Sequence, residues 1–181
     1  MTDNIAFIKT LNERIARCDE RSVPVTRAQA EGWGKDFINA LSPEQASYLP
    51  TEAFGMMSQE AISTFSTQQM NALWGFQIDE VVLKELAYNS SKKQTQKEAG
   101  LPFKHYDYFS KKQVHAIALN VIPYLASTTV NVLLNKFSIR QLLFLSTRHT
   151  QKAASISGKT IRQNAVLPIS SKIKSALHFM L

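Results

Sequence analysis

The side chains able to do chemistry are few and scattered. The four histidines, His105, His115, His149 and His178, stand without an HExxH motif or a Cys/His pair at ligand spacing, so no metal site is expected from the pattern. The one cysteine, Cys18, closes an apolar stripe and has no His or acid pattern beside it, which reads as a core thiol, not a nucleophile. There is no GxSxG, and SISGK at 155–159 lacks the upstream glycine and the strand–loop–helix context of a phosphate-binding loop. His105, Tyr106 and Asp107 are residue types that move protons, but three consecutive residues do not share one face. No catalytic residue, cofactor or small-molecule substrate is therefore expected, and the chain reads as a non-enzyme.

What remains is charge, and it is unevenly spread. Residues 1–90 hold seven Lys/Arg against twelve Asp/Glu. Residues 91–181 hold fourteen Lys/Arg against two acids, Glu98 and Asp107. With so few acids to pair them, the basic residues of the second half add their potentials over a surface, which suits an anionic partner or an acidic face. The candidate partner-binding residues are Lys111, Lys112, Arg140, Arg148, Lys152, Lys159 and Arg162. A protein partner is expected, with nucleic acid or an anionic membrane as the alternative. Against nucleic acid, the aromatics Phe103, Tyr106, Tyr108 and Phe109 cluster at one point and are not interleaved with the cations as a single-strand groove requires.

The elements that must carry these charges follow a period of eight. From Asn39 to Leu86 the chain divides into NALSPEQA, SYLPTEAF, GMMSQEAI, STFSTQQM, NALWGFQI and DEVVLKEL. The third column (Leu41, Leu49, Met57, Phe65, Leu73, Val81) and the eighth (Ala46, Phe54, Ile62, Met70, Ile78, Leu86) are apolar throughout. On one straight helix residues eight apart drift by about 80° per step, so the columns would smear around the cylinder. Pro43, Pro50, Gly55 and Gly75 also oppose a single helix. One short helix per octad answers both points. Ser42 with Gln45 and Ser66 with Gln69 then form capping boxes, Pro43 sits at the first helical position, and Ser58 caps without a partner at N3. A single turn is unstable alone, so each must bury its two apolar residues against its neighbours. The expected fold is all-α, an array of short capped helices in two blocks with N- and C-terminal capping helices, since no segment alternates as a strand does.

Around the first block, residues 1–38 form an N-terminal helical cap. A helix over 3–18 carries Ile5, Ile8, Leu11, Ile15 and Cys18 as its stripe, and a second, capped by Thr26, carries Ala30, Trp33, Phe37 and Ile38, weakened by Gly32 and Gly34. Residues 87–106 read as a polar linker, a mobile loop over 88–104. The octad returns over 107–150 as DYFSKKQV, HAIALNVI, PYLASTTV, an insert NVLL, NKFSIRQL and LFLSTRHT, with Lys or Arg where the first block has Glu or Gln. Residues 114–135 contain no Lys, Arg, Asp or Glu, but Pro123, His115 and several amides and hydroxyls make buried core the expectation over a membrane span. Residues 151–181 form a basic tail ending in an amphipathic helix. One cysteine and an N-terminus without an apolar signal core fit cytoplasmic synthesis and leave signal-independent secretion into a host cell open.

The units LSPEQ, MSQEA and FSTQQ resemble the short L-S/T-x-E/Q-Q helical repeats of bacterial secreted and host-directed effector proteins. The likeness covers residues 38–86 well and 107–150 loosely. It implies an interaction surface, not an active site, and carries over no functional residue. The expected function is a non-enzymatic protein–protein interaction module, a bacterial effector or adaptor.

Overall fold

In the computed structural model, residues 2–17, 23–103 and 105–145 are described, and among them every regular element is helical. The first helix, α1 (Thr2–Arg17), is followed by α2 (Arg27–Glu31), α3 (Lys35–Ala40), α4 (Pro43–Ser47), α5 (Thr51–Met56), α6 (Gln59–Thr64) and α7 (Thr67–Ala72). A long helix, α8 (Gly75–Glu98), interrupts this run. Beyond it come α9 (Lys111–Ala116), a 3-10 turn at Ile122–Tyr124, α10 (Ser127–Leu133), a second 3-10 turn at Leu134–Lys136, and α11 over residues 139–145.

The helices from α4 to α8 begin at Pro43, Thr51, Gln59, Thr67 and Gly75, eight residues apart. Each packs on the third helix along: α1 on α4, α2 on α5, α3 on α6, α4 on α7 and α5 on α8. Three short helices thus make one turn of the chain, and each turn lies on the one before. The residues that face inward are the two apolar columns. Leu41, Leu49, Met57, Phe65, Leu73 and Val81 are buried, as are Ala46, Phe54, Ile62, Met70 and Ile78; Leu86 is partly buried. Phe109, Ile117, Leu125, Phe137 and Leu145, with Val114, Ile122, Val130 and Leu142, continue the same core. The column-six residues Glu44, Glu52, Glu60 and Gln68 are exposed.

Serine caps and glutamines hold the turns together. Ser42, Ser66 and Ser110 each accept from the N–H three residues on, where Gln45, Gln69 and Gln113 accept in return from the serine N–H. Ser58 caps α6 through the Ala61 N–H without a return bond. Ser138 and Gln141 repeat the reciprocal pair at the head of α11. The other end of each glutamine amide reaches the neighbouring turn. Gln69 Nε2 donates to Ile38 and Leu41 oxygens at 2.7 and 2.8 Å. Gln77 reaches Ser47 and Leu49, Gln113 reaches Ile62 and Phe65, and Gln141 reaches Val114 and Ile117. These carbonyls lie in or just past the last turn of a short helix, where intrahelical partners run out, and those of Ile38, Ile62 and Val114 also accept the N–H three residues on. One buried amide therefore satisfies the start of one helix and the end of another.

Three features differ from the sequence expectation. The segment expected as a loop over 88–104 is helical to Glu98, because nothing in AYNSSKKQTQKEA breaks a helix before Gly100. There the chain stops in a Schellman motif: the Leu101 N–H donates to Gln96 O, the Gly100 N–H to Lys97 O, and Gly100 takes φ 67°. The inward face of α1 is set by Phe7 and Leu11, with Ile8 and Ile15 partly buried, while Ile5 is 71% exposed. Phe7 wins because its ring meets Trp33 and Phe37 at 5.2 and 6.2 Å. The helix expected after Thr26 is two helices, broken at Gly32–Gly34, although Ala30, Trp33, Phe37 and Ile38 are all buried. Over 114–135 the chain folds as short pieces of helix. Among the described residues no helix is long and apolar enough to cross a membrane.

Candidate functional site

Of the seven candidate partner-binding residues, Lys111, Lys112 and Arg140 lie in the described part of the chain; Arg148, Lys152, Lys159 and Arg162, Cys18 and the amphipathic segment at 170–181 lie outside it. All three of the described cations are exposed. Lys111 and Lys112 occupy the first turn of α9, and Arg140 the first turn of α11. Gln141 ties the two helices by donating to Val114 and Ile117 oxygens at 2.9 and 3.0 Å.

Between α7, the end of α9 and the head of α11 runs an open groove of about 620 Å³. Its walls carry Gln68 and Asn71 from α7, His115 and Leu119 from α9 and the turn after it, and Arg140 from α11. Asn71 Nδ2 donates to Ala116 O at 3.1 Å and pins the two sides of the groove. Arg140 thus belongs to the groove, while Lys111 and Lys112 stand outside its lining at the other end of α9. Lys111 lies four residues before His115, on the same helix face. Among the described residues no carboxylate lines the groove.

A second cluster forms where the chain returns from α8. Glu85 on α8 is fully buried, and its Oε2 accepts the Tyr108 N–H at 2.9 Å. One helical turn on, Asn89 clamps Tyr106: its Nδ2 donates to Tyr106 O at 2.9 Å and its Oδ1 accepts the Tyr106 N–H at 2.8 Å. Residues 106 and 108 are therefore laid against α8, with the Tyr106 ring edge-on to Tyr88 at 5.4 Å. In chain held this way, residues two apart fall on one side, and His105 and Asp107 do so. One ligand atom from each of Glu85, His105 and Asp107 lies within 4.8 Å of the other two. Asp107 Oδ1 is 3.5 Å from His105 Nδ1 and accepts from Lys136 Nζ at 2.7 Å. Lys136 also donates to Phe109 O. Burial pushes the Glu85 carboxyl above its ordinary range, an effect opposed by the Tyr108 N–H and the Lys136 charge. Glu85 Oε1 is buried with no hydrogen-bond partner in the protein.

The sequence places His105 and Asp107 side by side but carries no sign of Glu85, whose carboxylate comes from twenty residues upstream on a helix that the composition reads as ending near Leu86. No family model, curated protein or solved structure matches the chain.

Proposed function

We propose that this protein is a non-enzymatic protein–protein interaction module, a solenoid-like helical repeat that works as a bacterial effector or adaptor. In this reading the apolar columns and the glutamine bridges are committed to folding, and the polar columns are free to vary for recognition. The observation that supports it is the groove of α7, α9 and α11. It is open, lined by amides, an imidazole and a guanidinium, and carries no carboxylate among the described residues. Such a surface suits an extended acidic segment of a partner: the amides of Gln68 and Asn71 bond to backbone, and Arg140 forks onto a carboxylate. Lys111 and Lys112, on the approach to the groove, add a field that speeds encounter.

The test is capture from a host-cell lysate on the full chain, with Arg140→Glu as the control. A partner retained by the natural protein and lost with the variant supports the proposal. Robust turnover in a hydrolase and transferase panel, abolished by one side-chain change, would overturn the non-enzymatic reading. Affinity for nucleic acid that falls steeply with salt and exceeds that for any protein would replace the protein partner with the alternative one.

A further inference from the structure

We propose that Glu85, His105 and Asp107 form a binding site for a divalent transition-metal ion, which ties the returning chain at 105–108 onto α8. A buried carboxylate oxygen without a partner is costly, and native structures seldom keep one unexplained. Glu85 is wholly buried, its Oε2 is used by the Tyr108 N–H, and its Oε1 has nothing. The same carboxylate stands beside one imidazole and a second carboxylate, with ligand atoms of all three within 4.8 Å of one another. Ligands about 2.0–2.2 Å from a shared tetrahedral ion stand roughly 3.3–3.6 Å apart. His105 Nδ1 and Asp107 Oδ1 already stand 3.5 Å apart, and a side-chain movement of about 1 Å closes the set. His105 and Asp107 are half exposed and can make that movement, and they give an ion its way in from solvent.

The backbone is built to present the pair. Glu85 and Asn89, four apart on α8, hold the main chain of Tyr108 and Tyr106, so Asp107 lies between two anchored residues and His105 directly before them. Lys136 supplies one positive charge against two carboxylates. It engages one oxygen of Asp107, whose second oxygen remains for an ion. The donor set decides the metal class. Two carboxylates and an imidazole suit Zn²⁺, Mn²⁺, Co²⁺ or Ni²⁺ better than Ca²⁺ or Mg²⁺, which prefer all-oxygen shells. Three protein ligands leave the remaining positions to water. The site closes at the point where the chain leaves α8 and re-enters the stack at α9, so an ion there would brace that junction.

The experiment uses the full, untagged chain, stripped with a chelator and dialysed, then titrated with Zn²⁺ alone and with Co²⁺ alone. The expected result is one equivalent bound, a Co²⁺ visible spectrum showing nitrogen and oxygen ligation, and a rise in Tm on loading. His105→Ala removes an exposed side chain, so it should keep the circular dichroism of the natural protein while weakening binding at least tenfold. Glu85→Gln keeps the side-chain volume and the bond to Tyr108 and should do the same. Absence of stoichiometric binding, or binding unchanged in both variants and therefore owed to His115, His149 or His178, would overturn the proposal.

Discussion

The side-chain amide of Gln113 donates to the carbonyl oxygen of Phe65 at 3.1 Å, across 48 residues of sequence. Gln113 also accepts the Ser110 N–H at 2.9 Å, so one buried side chain starts α9 and finishes the turn after α6. Because α8 and the return to α9 lie between the two residues, this bond and its companion to Ile62 join the first half of the chain to the second. Removing the amide takes from Phe65 O its partner, while Ile62 O keeps the Phe65 N–H; a buried carbonyl left unpaired costs about 1–3 kcal/mol. Gln113→Ala is therefore expected to lower stability by about 2–4 kcal/mol, cap loss included. Gln113→Glu should be no milder near neutral pH, since it sets a carboxylate against the Phe65 and Ile62 oxygens. Urea unfolding followed by circular dichroism measures both, and an unchanged midpoint in either would show that the bridge carries no stability.

The buried columns give the second prediction. Phe65 is 3% exposed and stacks on Phe54 at 5.7 Å; Leu73 is 1% exposed. Phe65→Ala and Leu73→Ala should each cost about 2–5 kcal/mol, the range for truncation in a packed core. Ser66→Ala should cost about 1 kcal/mol, because only the α7 cap is lost. The ranking is the test: a cap mutant as damaging as the core mutants would contradict it.

How far the sequence could be read follows from where each signal lies. The columns from Leu41 to Ile78 were legible because burial repeats with the chain itself, as were the boxes at Ser42 and Ser66, which are local over four residues. The far ends of the glutamines were not. Gln69 announces a cap in the sequence, but its bonds to Ile38 and Leu41 depend on which helices stack. The length of α8 was hidden for the opposite reason: its inward face beyond Val82 carries Glu85 and Asn89, polar residues that read as solvated and are in fact buried. Their partners, the backbones of Tyr108 and Tyr106, become neighbours only when the chain doubles back. The candidate cations were legible as charge, but not the groove that separates Arg140 from Lys111 and Lys112, because α7 and α9 are far apart in sequence.

The end of α8 tests the helix over residues 88–98. Gly100 sits at φ 67°, a conformation that an L-residue adopts at a cost of about 1–2 kcal/mol. Nothing lies near the position a Cβ would take, so strain alone decides the outcome. Gly100→Ala is expected to destabilise by about 1 kcal/mol and to raise amide exchange over the last turn of α8. Were the segment a loop in solution, the substitution would change neither.

Glu85 gives a pH dependence for the metal-free protein. Burial raises its pKa in the folded state, so folding disfavours the ionised form. Below the unfolded value, about 4.3 for glutamate, both states hold the proton and there is no penalty. As pH rises from there through the folded pKa, the penalty grows to its full size. Glu85→Gln keeps the acceptor for Tyr108 and cannot ionise. With chelator present it should be more stable than the natural protein at neutral pH, with the difference closing as pH falls below about 4.3. A difference constant with pH, followed by thermal unfolding, would remove Glu85 from the account.

The last prediction tests recognition by charge. Lys111, Lys112 and Arg140 are exposed, and no ion pair to an acid is formed by any of them among the described residues. Exposed charges contribute little to stability, about 0–1 kcal/mol even when paired. Reversing all three to Glu should therefore leave the unfolding midpoint within about 1 kcal/mol of the natural protein. It also turns the approach to the groove from basic to acidic, and an acidic segment entering it would meet repulsion where it had met attraction. Partner affinity should fall at least tenfold, about 1.4 kcal/mol, with much of the loss in the association rate. Arg140→Glu alone should account for most of the change in dissociation, because Arg140 lines the groove while the two lysines act from outside it. The natural protein's binding should also weaken with salt, and the triple variant's should not. Binding that survives the triple reversal at physiological salt would move the interface to another face of the stack, the exposed Glu44, Glu52 and Glu60 rim being the first to examine.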